Sequence, residues 1–386
     1  MSVAFTDEEH AALAGAFGEG RQAAMHMVAE AARILGADRL IPVASAHIDG
    51  CLYHGDSGTR FAEHLVKLGA KTAVPATLNI GSLDLLKPHS VRMEAETRKM
   101  ALRLMRAYEA LGCRATWTCA PYQAGHRPAL GTDVAWGESN AVAFCNSVLG
   151  ARTNRYGDFL DIAAAIAGRA PHCGLHVREN RRARLVFNAA GVPPAILAED
   201  ATWPVLGALI GARAGDAVVA LSGAGAFATE DRMKALGAAA ASFGATALFH
   251  VVGATPEAPT LEAALQGMPP EETVDLTEAD IAQGYNALST APENAEVSAV
   301  GIGSPHLSLE ECRELLSALR GRTLRLPLYA NTGRHVLNAL FPDERLALES
   351  AGVTLIVDTC IVATPIIKGD GVLMTNSGKF ANYAPG

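Results

Sequence analysis

"VSAVGIGSPHLSLEECRELLSALRGRTLRLPLYANTG", Val297–Gly333, sets an apolar run and a Gly/Pro-marked turn before an amphipathic stretch, then closes on a second apolar run. The spacing predicts a strand over 297–308, a helix over 308–320 and a strand over 325–333. The same alternation extends in both directions. "RLIPVASAHIDG" (39–50), "KTAVPATLNIGS" (71–82), "RATWTCAPYQAG" (114–125), "DAVVALSGAGAF" (216–227), "TALFHVVGATPE" (246–257) and "VTLIVDTCIVATP" (353–365) each read as a strand with a polar turn. Helices are predicted at 93–111, 138–150, 159–168, 203–213, 230–243 and 343–351. Strands alternating with helices imply an α/β protein with parallel or mixed sheets flanked by helices.

The bulk numbers narrow the partners. The chain has 386 residues, 49% hydrophobic and 19% charged, enough for a large core and several domains. With 32 Lys and Arg against 40 acids, the net charge of -8 leaves no electrostatic footprint for nucleic acid or an anionic membrane. "MSVAFTDEEHAALAGAFGEG" lacks the basic and long apolar regions of a secretory signal, and no run of about 18 apolar residues follows, so a cytoplasmic location is expected. Seven cysteines without short regular spacing do not read as a disulfide framework. A joint is expected in "AAGVPPAILAEDATWP" (189–204), "LQGMPPEETVDLTEAD" (265–280) reads as a surface excursion or a second joint, and the expected domains are 1–200, 201–295 and 296–386.

In parallel sheets, loops leaving the carboxyl ends of strands line the ligand crevice. Ser45, His47 and Asp49 occupy such places, as do Thr77 and Asn79, Cys119, Ser304 and His306, and Thr359 and Cys360. In "GESNAVAFCNSVLGARTNR" (137–155), Ser139 reads as a helix N-cap, and Glu138, Ala141, Cys145 and Val148 share one face. Cys119, Cys145 and Cys360, drawn from separate segments, suit iron or an iron-sulfur cluster with an open position, zinc being the structural alternative. Cys51 is the reserve ligand, whereas Cys113, Cys173 and Cys312 read as packing thiols. His47, His54 and His306 sit in loops, unlike His26 and His250. "GARTNRYGDF" (150–159) places Arg152, Asn154, Arg155 and Asp158 after the helix, either as a solvated end or as a carboxylate clamp. "GAGAFA" (223–228) fits G-x-G-x-x-A superficially, but the next strand offers no ribose-binding acid, so it reads as a tight turn. P-loop, H-E-x-x-H, G-x-S-x-G and C-x-x-C patterns are absent.

Seven ordered blocks, "SAHIDG", "ATLNIGSLD", "TCAPY", "GESNAVAFCNSVLGARTNRYGDFLD", "GIGSPHLSLEE", "VDTCIVATP" and "SGKFANYAPG", run over nearly the whole chain. Together they resemble the large subunit of aconitase X, the divergent branch of the aconitase superfamily. The resemblance implies an aconitase-like multidomain hydro-lyase with an iron centre. A small swivelling domain of about 100 to 150 residues would complete the cleft, and here it is expected on a separate small subunit, making a heterodimer.

Two branches are relevant. One dehydrates cis-3-hydroxy-L-proline to Δ1-pyrroline-2-carboxylate in hydroxyproline metabolism and is implied to carry a 2Fe-2S cluster. The other dehydrates mevalonate 5-phosphate. Ordinary aconitases use a C-x-x-C pair that this chain lacks, so mononuclear iron or 4Fe-4S stays open beside 2Fe-2S. Some relatives have a cysteine where Ser304 stands; with Cys145 as substitute ligand, the chain resembles the hydroxyproline branch, which is the favoured reading. The implied roles are acid/base or orienting work for Glu138, His47 and His306, and substrate binding for Ser45, Thr77, Asn79, Ser139, Asn140, Arg152 and Ser304. A base supplied by the small subunit, or a noncatalytic metal-binding subunit, are the alternatives.

Overall fold

The computed structural model describes residues 3–368 and 371–385. Two compact units emerge, Met1–Leu83 with Met93–Arg181, and Asp84–Arg92 with Arg182–Gly386. The short excursion belongs to the second unit for a visible reason. Asp84 accepts from the backbone N–H of Leu86 at 2.9 Å, Lys87 at 2.7 Å and Val357 at 3.4 Å, while Leu85 N–H donates to Asp358 at 3.1 Å.

The first unit contains β1 (Leu40–Pro42), β2 (Ala46–Ile48), β3 (Ala76–Leu78), β4 (Ala135–Trp136) and β5 (Arg169–Pro171). Strands β3-β2-β4 form a parallel sheet, and β1 pairs antiparallel with β5. The Ala-rich helix Leu160–Ala167 lies against β2 and β4; its small side chains are buried all round, and Gly168 ends it in the left-handed conformation at φ 68°.

The segment 114–125 departs from expectation. Only Arg114 bridges to Thr77. Thr116 Oγ1 accepts from Leu78 N–H at 3.0 Å and donates to Leu78 O at 2.7 Å, sharing Leu78 with the backbone of Arg114 and Thr118, and Trp117 turns to φ 44°. Its β-branched and aromatic residues therefore occupy an irregular, buried loop, and Cys119 does not end a strand.

The second unit contains β6 (Leu185–Gly191), β7 (Val219–Ser222), β8 (Phe249–Val251), β9 (Glu272–Thr277), β10 (Val297–Leu307), β11 (Leu328–Thr332), β12 (Val353–Ile356) and β13 (Val372–Met374). Two parallel sheets result, β8-β7-β6-β9 and β12-β11-β10-β13. The opening stretch is thus β10, the helix Leu309–Leu319 and β11. Cys312 packs with Leu307, Leu328, Leu348 and Leu355, as expected of a core thiol. Strand β9 falls where a surface excursion was expected; it is a half-exposed edge strand paired with β6, disguised by the preceding prolines.

Helices Thr202–Ala214 and Glu230–Phe243 cross closely because Gly207 permits it: a Cβ there would stand 2.2 Å from Leu236 O. The "GAGAFA" segment is the tight turn anticipated. Gly223 has φ 80°, and a Cβ on it would meet Ala190 N at 2.8 Å. Among the described residues no helix is long and apolar enough to cross a membrane.

Candidate active site

Register brings the first cluster together. His47 stands opposite Thr77 on one side and Trp136 on the other, near the carboxyl ends of three parallel strands. His47 Nδ1 lies 2.8 Å from Thr77 Oγ1, Thr77 Oγ1 lies 2.8 Å from His126 Nδ1, and His126 Nε2 lies 2.8 Å from Ser45 Oγ. The Trp136 ring contacts both imidazoles, with centroids 5.6 Å and 4.9 Å away. Burial holds His126 down to about 4 and, helped by His126, keeps His47 well below the usual histidine range. His47 Nε2 is buried and reaches no protein partner. His126 was not anticipated because "GHRP" carries no motif; a histidine between Gly125 and Arg127, in the loop that bears Cys119, was the available signal.

Past these strand ends, Asn79 Nδ2 donates to the Asp49 carboxylate. Asp49 N–H donates to Asp161 Oδ2 at 2.6 Å, and Ile162 N–H donates to Asp161 Oδ1 at 2.6 Å. Asp161 is another unanticipated participant. Burial lifts its carboxyl to about 8, helped by the charge of Asp49 and against those two N–H donors. A carboxyl raised in the folded state retains a proton that the unfolded chain has lost. Its stabilising share is therefore full below about pH 4 and disappears as pH rises through about 8. Asp161→Asn is expected to remove that decline, seen as a smaller difference between denaturation midpoints at pH 5 and pH 8. Setting an amide against a backbone N–H should also cost about 1–3 kcal/mol.

The helix Ser139–Ser147 begins one residue earlier than a Ser139 cap would place it. Glu138, not Ser139, is its N-cap: Glu138 Oε2 accepts from Ala141 N–H at 2.6 Å, and Ser139 Oγ leans on Oε1 at 3.4 Å. A longer acidic side chain reaches the free N–H groups, and the helix dipole favours its charge. Asn140 Nδ2 donates to Cys119 O at 2.9 Å, tying that loop to the helix that carries Cys145. The Oδ1 atoms of Asn79 and Asn140 are buried without a protein partner, as is Arg152 Nε. Asn154 is structural, holding the 173–175 loop through Cys173 O at 3.1 Å and Leu175 N–H at 2.8 Å. His54 is exposed. The Cys51 thiol donates to the carbonyls of Ile48, Asn79 and Ile80 at 3.4–3.5 Å, a packing role.

In the second unit, the carboxyl ends of β10, β11 and β12 gather His306, Asn331, Thr359 and Cys360. His306 Nε2 donates to Thr359 O at 3.0 Å and Asn331 Nδ2 donates to the same oxygen at 2.7 Å. Cys360 Sγ lies 4.0 Å from Ser304 Oγ, and Ser377 Oγ donates to Ser304 O. Arg334 clamps Asp358 with two bonds of 2.6 Å. Beneath this loop, buried Lys234 binds Asp231 at 2.7 Å, the Glu311 carboxylate, and His306 O at 3.4 Å. Burial alone would lower the Lys234 ammonium, but Glu311 and Asp231 outweigh it and hold it above its ordinary value. Lys234→Met is expected to cost about 3 kcal/mol in chemical denaturation, because two carboxylates lose their counter-ion while keeping some solvent.

The thiols fit iron by donor chemistry. Cys145 is wholly enclosed, so burial pushes its thiol up, with only Arg181 opposing. Cys360 is also raised by burial, with the Val362 backbone N–H, Lys379 and Ser304 opposing. Among the described residues, no group of three or more His, Cys, Asp or Glu side chains is assembled to hold a metal ion. Cys119 and Cys145 belong to the first unit, Cys360 to the second.

Residues 2–179 match the aconitase X first domain, residues 183–286 the second domain and residues 297–386 the third. The chain belongs to the aconitase X family. This aconitase X chain is 38% identical over 98% of its length to the Pseudomonas aeruginosa protein named cis-3-hydroxy-L-proline dehydratase, and spans 66% of that relative. It is also 38% identical, over 96% of its length and 91% of the relative, to the phosphomevalonate dehydratase large subunit of Methanothermobacter thermautotrophicus. A crystal structure of Thermococcus kodakaraensis aconitase X in its holo-form superposes with a TM-score of 0.86 and 34% identity, covering 98% of this chain and 94% of that one.

Proposed function

We propose that this aconitase X chain is the large subunit of a hydro-lyase that removes water from cis-3-hydroxy-L-proline to give Δ1-pyrroline-2-carboxylate. An alignment at 38% identity over 98% of the chain to a protein of that name carries the reading. The site chemistry supports it. Dehydration takes the proton from the carbon bearing the carboxylate and breaks the C–O bond at its neighbour; the resulting enamine then tautomerises to the imine.

In this reading Asn79, Ser139, Asn140 and Arg152 hold the substrate carboxylate and stabilise the negative charge that builds as the proton leaves. Glu138 and His47 transfer or orient protons; neutral, buried His47 keeps Nε2 for that purpose. His306 is oriented by Thr359 O beside Ser304. Cys119, Cys145 and Cys360 would hold an iron group, 2Fe-2S in this proposal, which when bound supplies Lewis acidity toward the leaving hydroxyl. Free thiols throughout the described residues agree with a reducing cytoplasm. A small subunit carrying the swivel domain is the proposed partner. Domains of 1–200, 201–295 and 296–386 remain the proposed division.

A mevalonate 5-phosphate dehydratase is the second reading, favoured by the equal identity to a large subunit of that name. The test is anaerobic assay with the small subunit and no electron acceptor, offering each substrate separately. Turnover of the hydroxyproline supports the proposal. Turnover of mevalonate 5-phosphate alone selects the second reading, and activity with neither leaves a noncatalytic metal-binding subunit.

A further inference from the structure

The line Ser45 Oγ, His126 Nε2 and Nδ1, Thr77 Oγ1, His47 Nδ1 runs with every step 2.8 Å. Proton counting restricts what it can be. A hydroxyl carries one proton and a neutral imidazole carries one N–H. Thr77 faces two ring nitrogens at 2.8 Å, whereas its other acceptor, Ala46 O, stands at 3.5 Å. Its proton therefore goes to one histidine, and the other histidine must donate to its oxygen.

Two arrangements satisfy this count. In the first, His47 donates Nδ1–H to Thr77, Thr77 donates to His126 Nδ1, and His126 donates Nε2–H to Ser45; His47 Nε2 is then a bare acceptor. In the second, Thr77 donates to His47 Nδ1, His126 donates Nδ1–H to Thr77, and Ser45 donates to His126 Nε2; His47 then bears Nε2–H. Passing from one to the other shifts each proton by one hydrogen bond. One proton enters at His47 Nε2, one passes from the Ser45 hydroxyl, which is 8% exposed, to solvent water, and no charge remains in the buried sheet. Burial keeps both rings neutral, and Arg114 adds to this at His126.

We propose that Thr77 couples His47 and His126 as tautomers of opposite sense, so that Ser45, His126 and Thr77 relay protons to and from His47 Nε2. His126 and Thr77 are thus positioning residues acting through His47. The pairing rests on distances alone; its use in turnover rests on the dehydratase reading.

Long-range proton–nitrogen spectra of the full chain labelled at histidine nitrogen read the tautomers directly, with His126→Gln assigning the signals. One Nδ1–H ring and one Nε2–H ring are expected, and two rings of the same tautomer would overturn the coupling. In the complex with the small subunit, Thr77→Val should lower kcat about a hundredfold with little change in KM, while Thr77→Ser restores it. Wild-type kcat in Thr77→Val would overturn the relay even where dehydration itself is observed. Opposite tautomers in a chain that dehydrates neither substrate would support the coupling and reject the dehydratase reading.

Discussion

Glu138→Gln is expected to lower turnover by about two to four orders of magnitude while costing only about 0.3–1 kcal/mol of stability. The two halves of that expectation have different causes. Glu138 accepts the Ala141 N–H at 2.6 Å, and the amide oxygen of glutamine can accept the same bond, so the helix keeps its cap. Lost are the charge that favours the helix dipole and the ability to take and return a proton. Glu138→Ala removes the cap as well, and its extra cost in stability should be about 0.5–2 kcal/mol. Steady-state rates beside thermal melts of the three proteins separate the roles. A near-normal rate for the glutamine variant would reduce Glu138 to a cap.

Cys145→Ser is expected to abolish visible cluster absorbance and bring turnover to background, with the fold intact. Cys145 sits on a helix whose residues from Asn140 to Ser147 are all buried, and its thiol is among the most enclosed in the chain. Without a cation, burial favours the neutral thiol; with iron, the thiolate becomes the stable form. A serine hydroxyl is harder and more strongly solvated than sulfur, so it neither replaces the ligand nor enjoys the site. Cys145→Ala guards against misfolding through a buried hydroxyl and should give the same loss. Cys312→Ala serves as the control, because Cys312 packs among leucines and should leave iron content unchanged. Full iron in both Cys145 variants would reject its assignment as a ligand.

Much of this fold was legible because buried parallel strands and amphipathic helices write distinct periods into the chain. Helix 230–243 and the β10–helix–β11 unit follow from such runs. The loop 114–125 did not, since Trp117 at φ 44° breaks a pairing in which the Thr116 side chain shares Leu78 with the backbone of Arg114 and Thr118. The very short β4 left no period to detect, although it delivers Trp136 to the site. Conversely, residues at strand ends were readable as a class. His47, Thr77 and Ser45 share one hydrogen-bonded line, and Asn79 lies beside Asp49. What joins them was not readable: His126 and Asp161 come from distant segments, and only the folded chain shows that their side chains close the network. Ser139 and Glu138 illustrate a finer limit, because adjacent residues compete for one cap and geometry selects the longer side chain.

The most direct measurement is anomalous diffraction at the iron edge from crystals of the anaerobically prepared chain. The expected result is an iron peak at the sulfur atoms of Cys119, Cys145 and Cys360, with a coordination position left for substrate. Iron bound to other residues, with those three sulfurs remaining free thiols, would contradict it.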